Sequence, residues 1–273
     1  MDCGVAFGGL LIPLMVILID LYEWRTTMLI LGLGMLAVVL PLALVARHKP
    51  EQYGYLPDGE LGSSAITEEG LTLAQTAEEG VGAMQALKSG AFWRIALALA
   101  CFSMMGITLS THVMPYLNSM GISRVTSGLV ASAIPLVSIG GRLSFGWFGD
   151  KFDKRWISAS AFAMMGLGLL CFEYASTAGV WALVPFLVLF GTGMGGIHPM
   201  RATLLRDYFG RSKFGTIFGF ATGVMMIGNI AGAPLAGWVF DNWGSYQGVW
   251  SALACLAIIS IALITTTPRP QSG

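Results

Sequence analysis

Ser138-Ile-Gly-Gly-Arg142-Leu-Ser-Phe-Gly146-Trp-Phe-Gly-Asp150-Lys151-Phe-Asp153-Lys154-Arg155-Trp156 places one arginine inside an uncharged run and then five charges within six residues. A run that long and apolar, ending in a crowd of charge, reads as a helix that crosses a bilayer and stops at its surface. The rest of the chain agrees. It is 55% hydrophobic and 11% charged, with a mean hydropathy of +0.71, whereas soluble domains carry about 25% charged residues. A soluble chain of 273 residues could not cover so much apolar surface, so the solvent is lipid. The formal net charge is zero, which gives no bulk field to recruit nucleic acid.

A bilayer core of about 30 Å takes about 20 apolar residues in a helix. Eight runs meet that length: 4–21, 26–46, 92–117, 125–147, 156–176, 180–203, 214–239 and 247–267. All are too long for strands, and none alternates as a membrane barrel would. Helices satisfy their own backbone in lipid. The fold class is therefore all-α, a polytopic transmembrane helical bundle of eight spans. The first run has no basic region before it and several equal runs after it, so no cleavable secretory signal is read there.

The basic residues orient the bundle. Arg47, Lys49, Lys88, Arg94, Lys151, Lys154, Arg155, Arg201, Arg206, Arg211, Lys213 and Arg269 fall on one side of these runs, while Arg25 and Arg124 fall on the other. The positive-inside rule makes the crowded side cytoplasmic. Both termini are then cytoplasmic, as an even number of spans requires, and the location is the cytoplasmic membrane. Residues 47–91 form a cytoplasmic linker with an acidic stretch at Glu68, Glu69, Glu78 and Glu79. A surface helix over 67–87 is weakened by Gly70, Gly80 and Gly82.

Arg142 is eight residues before Asp150, about 12 Å along a helix at about 1.5 Å per residue. That depth is near the membrane midplane, where an arginine costs about 3 kcal/mol or more. It needs a partner or a wet cavity there. A guanidinium stays charged and grips a carboxylate with two hydrogen bonds, so Arg142 is the candidate holder of an organic anion. The competing reading is a structural arginine set against backbone carbonyls or a carboxylate. His112, toward the outer end of its span, would line the cavity or carry a proton, or else bond one helix to another. Asn229 is a lone amide in mid-span, a substrate contact or interhelical glue. His198 lies near the cytoplasmic end of its run, and Arg201 and Arg206 read as interfacial snorkellers.

The charged end of the opening stretch, Gly146-Trp-Phe-Gly-Asp150-Lys151-Phe-Asp153-Lys154-Arg155, resembles the cytoplasmic loop signature of the major facilitator superfamily, G-x-x-x-D-(R/K)-x-G-(R/K)-(R/K). Asp153 stands where that pattern has glycine. Aspartate tolerates the left-handed conformation better than most residues, so a left-handed turn at Asp153 is expected. The resemblance implies that Asp150 pairs with basic residues and a neighbouring helix end, holding one of two alternating conformations. Glu23-Trp24-Arg25, Lys49-Pro50-Glu51, Ala91-Phe92-Trp93, His112-Val-Met-Pro115-Tyr116 and Asp207-Tyr-Phe-Gly210 are similar to the monocarboxylate-porter and oxalate/formate-antiporter branches.

That resemblance implies a twelve-span fold of two six-helix halves. Residues 1–46 would be the last two helices of the N-terminal half and 92–273 the C-terminal half, with the first four spans outside this sequence. It implies a secondary active transporter of a small organic anion, working by alternating access with protons or a counter-anion. A non-transporting membrane scaffold or sensor on the same fold is the alternative. The resemblance implies that Arg142 matches an arginine that monocarboxylate porters use on the carboxylate; those porters carry an aspartate one turn before it, a position that here is Ser138. Oxalate-handling members carry a second cation in their eleventh helix, but no Lys or Arg occurs between Lys213 and Arg269.

No enzyme, cofactor or metal is expected. Gly191-Thr-Gly193-Met-Gly195-Gly196 formally matches G-x-G-x-x-G, yet no strand–turn–helix unit surrounds it. These glycines, with Gly219, Gly223, Gly228 and Gly232, read as close helix contacts. The four cysteines (Cys3, Cys101, Cys171, Cys255) have no zinc or disulfide spacing.

Overall fold

A computed structural model describes residues 11–45, 82–210 and 212–268. Within them lie eight α-helices: α1 (Leu11–Val45), α2 (Ala83–Lys88), α3 (Gly90–Ser119), α4 (Arg124–Lys151), α5 (Lys154–Ala178), α6 (Leu183–Phe209), α7 (Phe214–Trp243) and α8 (Gln247–Thr265). All but α2 contain a stretch long and apolar enough to cross a membrane. The eight expected runs thus fall on seven helices, because 4–21 and 26–46 share α1 as far as they are described. The division between them is a break at Glu23, whose φ of 63° and ψ of 160° are not helical. Thr27 Oγ1 donates to the Glu23 carbonyl just after the break. Most of the expected linker lies outside the described residues. Its described end forms α2.

The chain divides into two compact units. One is Met15–Glu78, and the other joins Met1–Leu14 with Glu79–Gly273. Within the second, Ser89, Ser123 and Asp153 open α3, α4 and α5, each side chain accepting a backbone N–H of the first turn, as N-cap residues do. Asp153 is therefore not left-handed. Its φ is −60°, and aspartate replaces glycine at no cost because the position starts a helix.

Glycines set how closely the long helices approach. A Cβ on Gly195 of α6 would overlap the Ser138 carbonyl of α4, and one on Gly141 of α4 would overlap the Thr192 carbonyl of α6. Gly196 faces Phe145 and Gly149 faces Met200. The paired numbers rise together, so α4 and α6 run parallel and in register. Gly228 of α7 lies against the Ala100 carbonyl of α3 in the same way. Backbones this close gain dispersion contact, which replaces the hydrophobic effect as the force between helices in lipid.

The surface is apolar where a soluble protein would be polar: Leu143 is 72% and Ile230 73% exposed. Hydroxyls carry their own partners into that environment. Ser132, Ser144 and Ser260 donate to the carbonyl one turn earlier, the back-bond that membrane helices use for such residues.

Candidate functional site

The two ends of α3–α8 differ. At the end rich in basic residues, Lys154 of α5 pairs with Asp207 of α6. Arg155 is held by Asp153 and also donates to the Thr267 carbonyl just past α8 (2.9 Å). Arg94 of α3 reaches the Thr266 carbonyl beside it. Lys151 lies over the Trp147 ring at 3.7 Å. Among the described residues the Asp150 carboxylate makes no ion pair; Asp207 and Asp153 take the basic partners that the loop pattern assigns to it. A cavity of about 370 Å³ lies among Asp150, Lys154, Arg155, Asp207 and Tyr208. The Lys154–Asp207 pair joins residues 53 apart, so no local pattern reveals it.

The opposite end is aromatic. Phe172 stacks on Phe186 at 4.3 Å and meets Trp250 and Tyr116 edge-on at 4.9 and 4.8 Å. Tyr116 donates to the Phe172 and Glu173 carbonyls, and Ser251 donates to the Glu173 carboxylate at 2.7 Å. His112 belongs to this end. Its Nε2 is 3.0 Å from the Ala233 carbonyl of α7, and its Nδ1 is 3.1 Å from the Tyr246 hydroxyl. A carbonyl only accepts, so Nε2 carries the proton and Nδ1 accepts from Tyr246. Burial, and then the Asp241 charge, push the Tyr246 phenol up, which keeps it a donor.

Arg142 lies elsewhere. It is nine residues before the end of α4 and lines a cavity of about 330 Å³ with Ser110 and Val113 of α3, Ile134 and Ser138 of α4, and His198 of α6. The Ser138 hydroxyl donates to the Pro135 carbonyl at 2.7 Å. His198 meets Phe102 edge-on, with ring centroids 5.5 Å apart. It sits in the body of its helix rather than near its end, because α6 continues to Phe209, beyond the expected stop at 203. Asn229 is half-buried on α7, with Nδ2 3.8 Å from Met226 Sδ. The structure thus brings Arg142, Ser138 and His198 together and leaves His112 and Asn229 outside that cavity. The described residues contain no group of His, Cys, Asp and Glu fit to hold a metal ion.

Chemically, the cavity offers one guanidinium, one imidazole and two hydroxyls among aliphatic walls. That set suits a carboxylate on a small apolar body.

Comparison with known proteins bears on what such a cavity serves. The family model for the Major Facilitator Superfamily matches residues 1–151 and 113–273. The chain is 27% identical to monocarboxylate transporter 12-B of Danio rerio over 286 residues, covering 96% of this chain and 59% of that protein. It is 24% identical to monocarboxylate transporter 12 of Xenopus laevis over 287 residues, covering 96% and 61% respectively. Against monocarboxylate transporter 2 of Mus musculus it is 27% identical over 149 residues, covering 53% and 30%. The chain spans about three fifths of the length of the first two relatives.

Proposed function

This chain belongs to the Major Facilitator Superfamily, a family of multi-pass membrane transporters rather than enzymes, and we propose that it carries a small organic monocarboxylate held by Arg142. The observation that supports this most is the position of Arg142. It is the cation of a cavity of about 330 Å³ set within the length of α4, at the depth where transporters bind their substrates. The relatives' names point to the same substrate class. The aliphatic walls from Val113, Ile134 and Met194 favour a single carboxylate with an apolar body over a dicarboxylate.

In this reading transport is by alternating access, in the cytoplasmic membrane, with the basic helix ends and both termini facing the cytoplasm. Residues 92–273 form the C-terminal six-helix half, 47–91 the linker, and 1–46 the end of the other half. The loop at Gly146, Asp150, Lys151, Lys154 and Arg155 is the latch. Lys154 fastens α5 to α6 by its ion pair with Asp207, and Arg155 fastens it to the end of α8 by a hydrogen bond to the Thr267 carbonyl; both contacts are exchangeable and can open when the halves rock.

The test is uptake of radiolabelled lactate, pyruvate and benzoate by the full chain in proteoliposomes, wild type against Arg142→Ala. Truncating one partner of a desolvated charge pair costs about 2–5 kcal/mol. Uptake is expected to fall by more than about 30-fold while insertion into the membrane continues. Normal uptake kinetics in that variant would remove the assignment.

A further inference from the structure

We infer that the groove between α7 and α8 seats one acyl chain of a zwitterionic phospholipid, drawn from the bilayer leaflet at the aromatic end of the bundle. This groove shares no lining residue with the Arg142 cavity.

α7 and α8 are joined by a tight turn, with Gly244 left-handed at a φ of 66°. Yet the two helices scarcely touch, and each packs on α3 instead. Between them lies a cavity of about 510 Å³, with Met104 and Thr108 of α3 as its floor. Leu235 and Val239 stand in the α7 wall, Gly248 and Ala252 in the α8 wall. Small residues one turn apart usually draw membrane helices together. Here they leave space: a Cβ on Gly248 would meet only the Trp243 ring, at 3.8 Å.

Length and lining fit a lipid tail. The groove follows α7 from Gly232 to Trp243, about 16 Å at about 1.5 Å per residue. One leaflet of a bilayer core of about 30 Å is about 15 Å thick. The groove therefore runs from the membrane surface to near the midplane. Trp238 and Trp243 are exposed at its rim, as aromatic side chains are at that surface. The Thr108 hydroxyl is turned under Gly232 and buried, so the surface below the tryptophans is hydrocarbon.

Contact decides the binding. Apolar surface has no hydrophobic drive to leave lipid, so a chain gains only by packing. Against a convex helix face it touches one helix. In the groove it touches three, and the small dispersion gains add up. They offset the rotational freedom that an ordered chain loses. The headgroup stays in water at the mouth, where the turn carries one charge, Asp241, beside Asn242, Ser245 and Gln247. A carboxylate there repels the headgroup of a free fatty acid and attracts the ammonium of a zwitterionic phospholipid.

The test places the full chain in vesicles of dioleoylphosphatidylcholine with a trace of phosphatidylcholine bearing a photoreactive diazirine on one chain. Labelled residues are mapped by mass spectrometry after illumination. Leu235, Val239 and Ala252 are expected to be labelled several-fold more than Leu167 and Leu170, which are exposed on α5. Ala252→Trp fills the groove and should bring Leu235 and Val239 down to the α5 level, with the melting temperature little changed. The wild-type map decides even if that variant does not fold. Equal labelling of groove and α5, a groove left unlabelled because protein covers it, or undiminished labelling in folded Ala252→Trp would overturn the site. Parallel runs with diazirine-bearing palmitate and cholesterol decide the occupant. Several-fold stronger enrichment in the groove by either would overturn the phospholipid, and weaker enrichment by both would support it. Every one of these outcomes leaves the Arg142 reading as it stands.

Discussion

The α4–α6 pair and the α3–α7 pair are clasped alike and furnished differently. In the first, Gly195 lies under the Ser138 carbonyl; in the second, Gly228 lies under the Ala100 carbonyl. Both pairs then bring ionisable side chains into the apolar phase. On α4 and α6, Arg142 and His198 open onto a common cavity. On α3, His112 commits both ring nitrogens to the Ala233 carbonyl and the Tyr246 hydroxyl. A polar group in a membrane is expensive wherever it sits, so its partners reveal its role. One whose ring nitrogens are both bonded between helices is glue, and one that lines a cavity is placed to meet a ligand.

The strongest way to break this comparison is to spread the clasps. Gly195→Leu and Gly228→Leu should each cost about 1–3 kcal/mol or more, since overpacking a tight contact forces the backbone to shift. Thermal unfolding followed by size-exclusion should show similar losses for both, because the clasp is the same in both pairs. A large loss in only one would mean that the pairs are not equivalent.

His112→Leu sharpens the contrast. It strands the Ala233 carbonyl and the Tyr246 hydroxyl, at about 1–3 kcal/mol, so the melting temperature should drop. A larger effect on anion affinity than on melting would move His112 into the site. Asp207→Asn should have the smallest effect on stability. Its pair with Lys154 is partly exposed, with side chains 37% and 23% accessible, and such pairs contribute about 0–1 kcal/mol. Its consequence should be kinetic: labelled-anion exchange should change rate if the pair is a latch, and an unaltered rate would assign it to structure alone.

Much of the architecture was legible because lipid imposes it. The six runs from 92 to 267 match α3–α8 to within a few residues at most ends, since a span must be about 20 residues long and loops between spans attract charge. The exceptions have physical reasons. Arg201 and Arg206 interrupt the hydropathy before α6 ends at Phe209, yet long basic side chains let a helix continue into the interface. The glycine of the loop pattern suggests a left-handed turn at Asp153, whereas an aspartate just before the first turn of α5 suits an N-cap. Facing was the least legible property. These helices are apolar all round, so periodicity does not say which side of α3 carries His112 inward toward α7. The depth of Arg142 could be counted from the sequence; its companionship with His198, 56 positions away, needed the packed helices.

The most direct test is equilibrium binding of labelled lactate, pyruvate and benzoate to the purified full chain, wild type and Arg142→Gln, with melting temperature as the folding control. The account predicts that the anion bound by the wild type is held at least about 30-fold more weakly by the variant, with the melting temperature little changed. An equal Kd in the two proteins would contradict it.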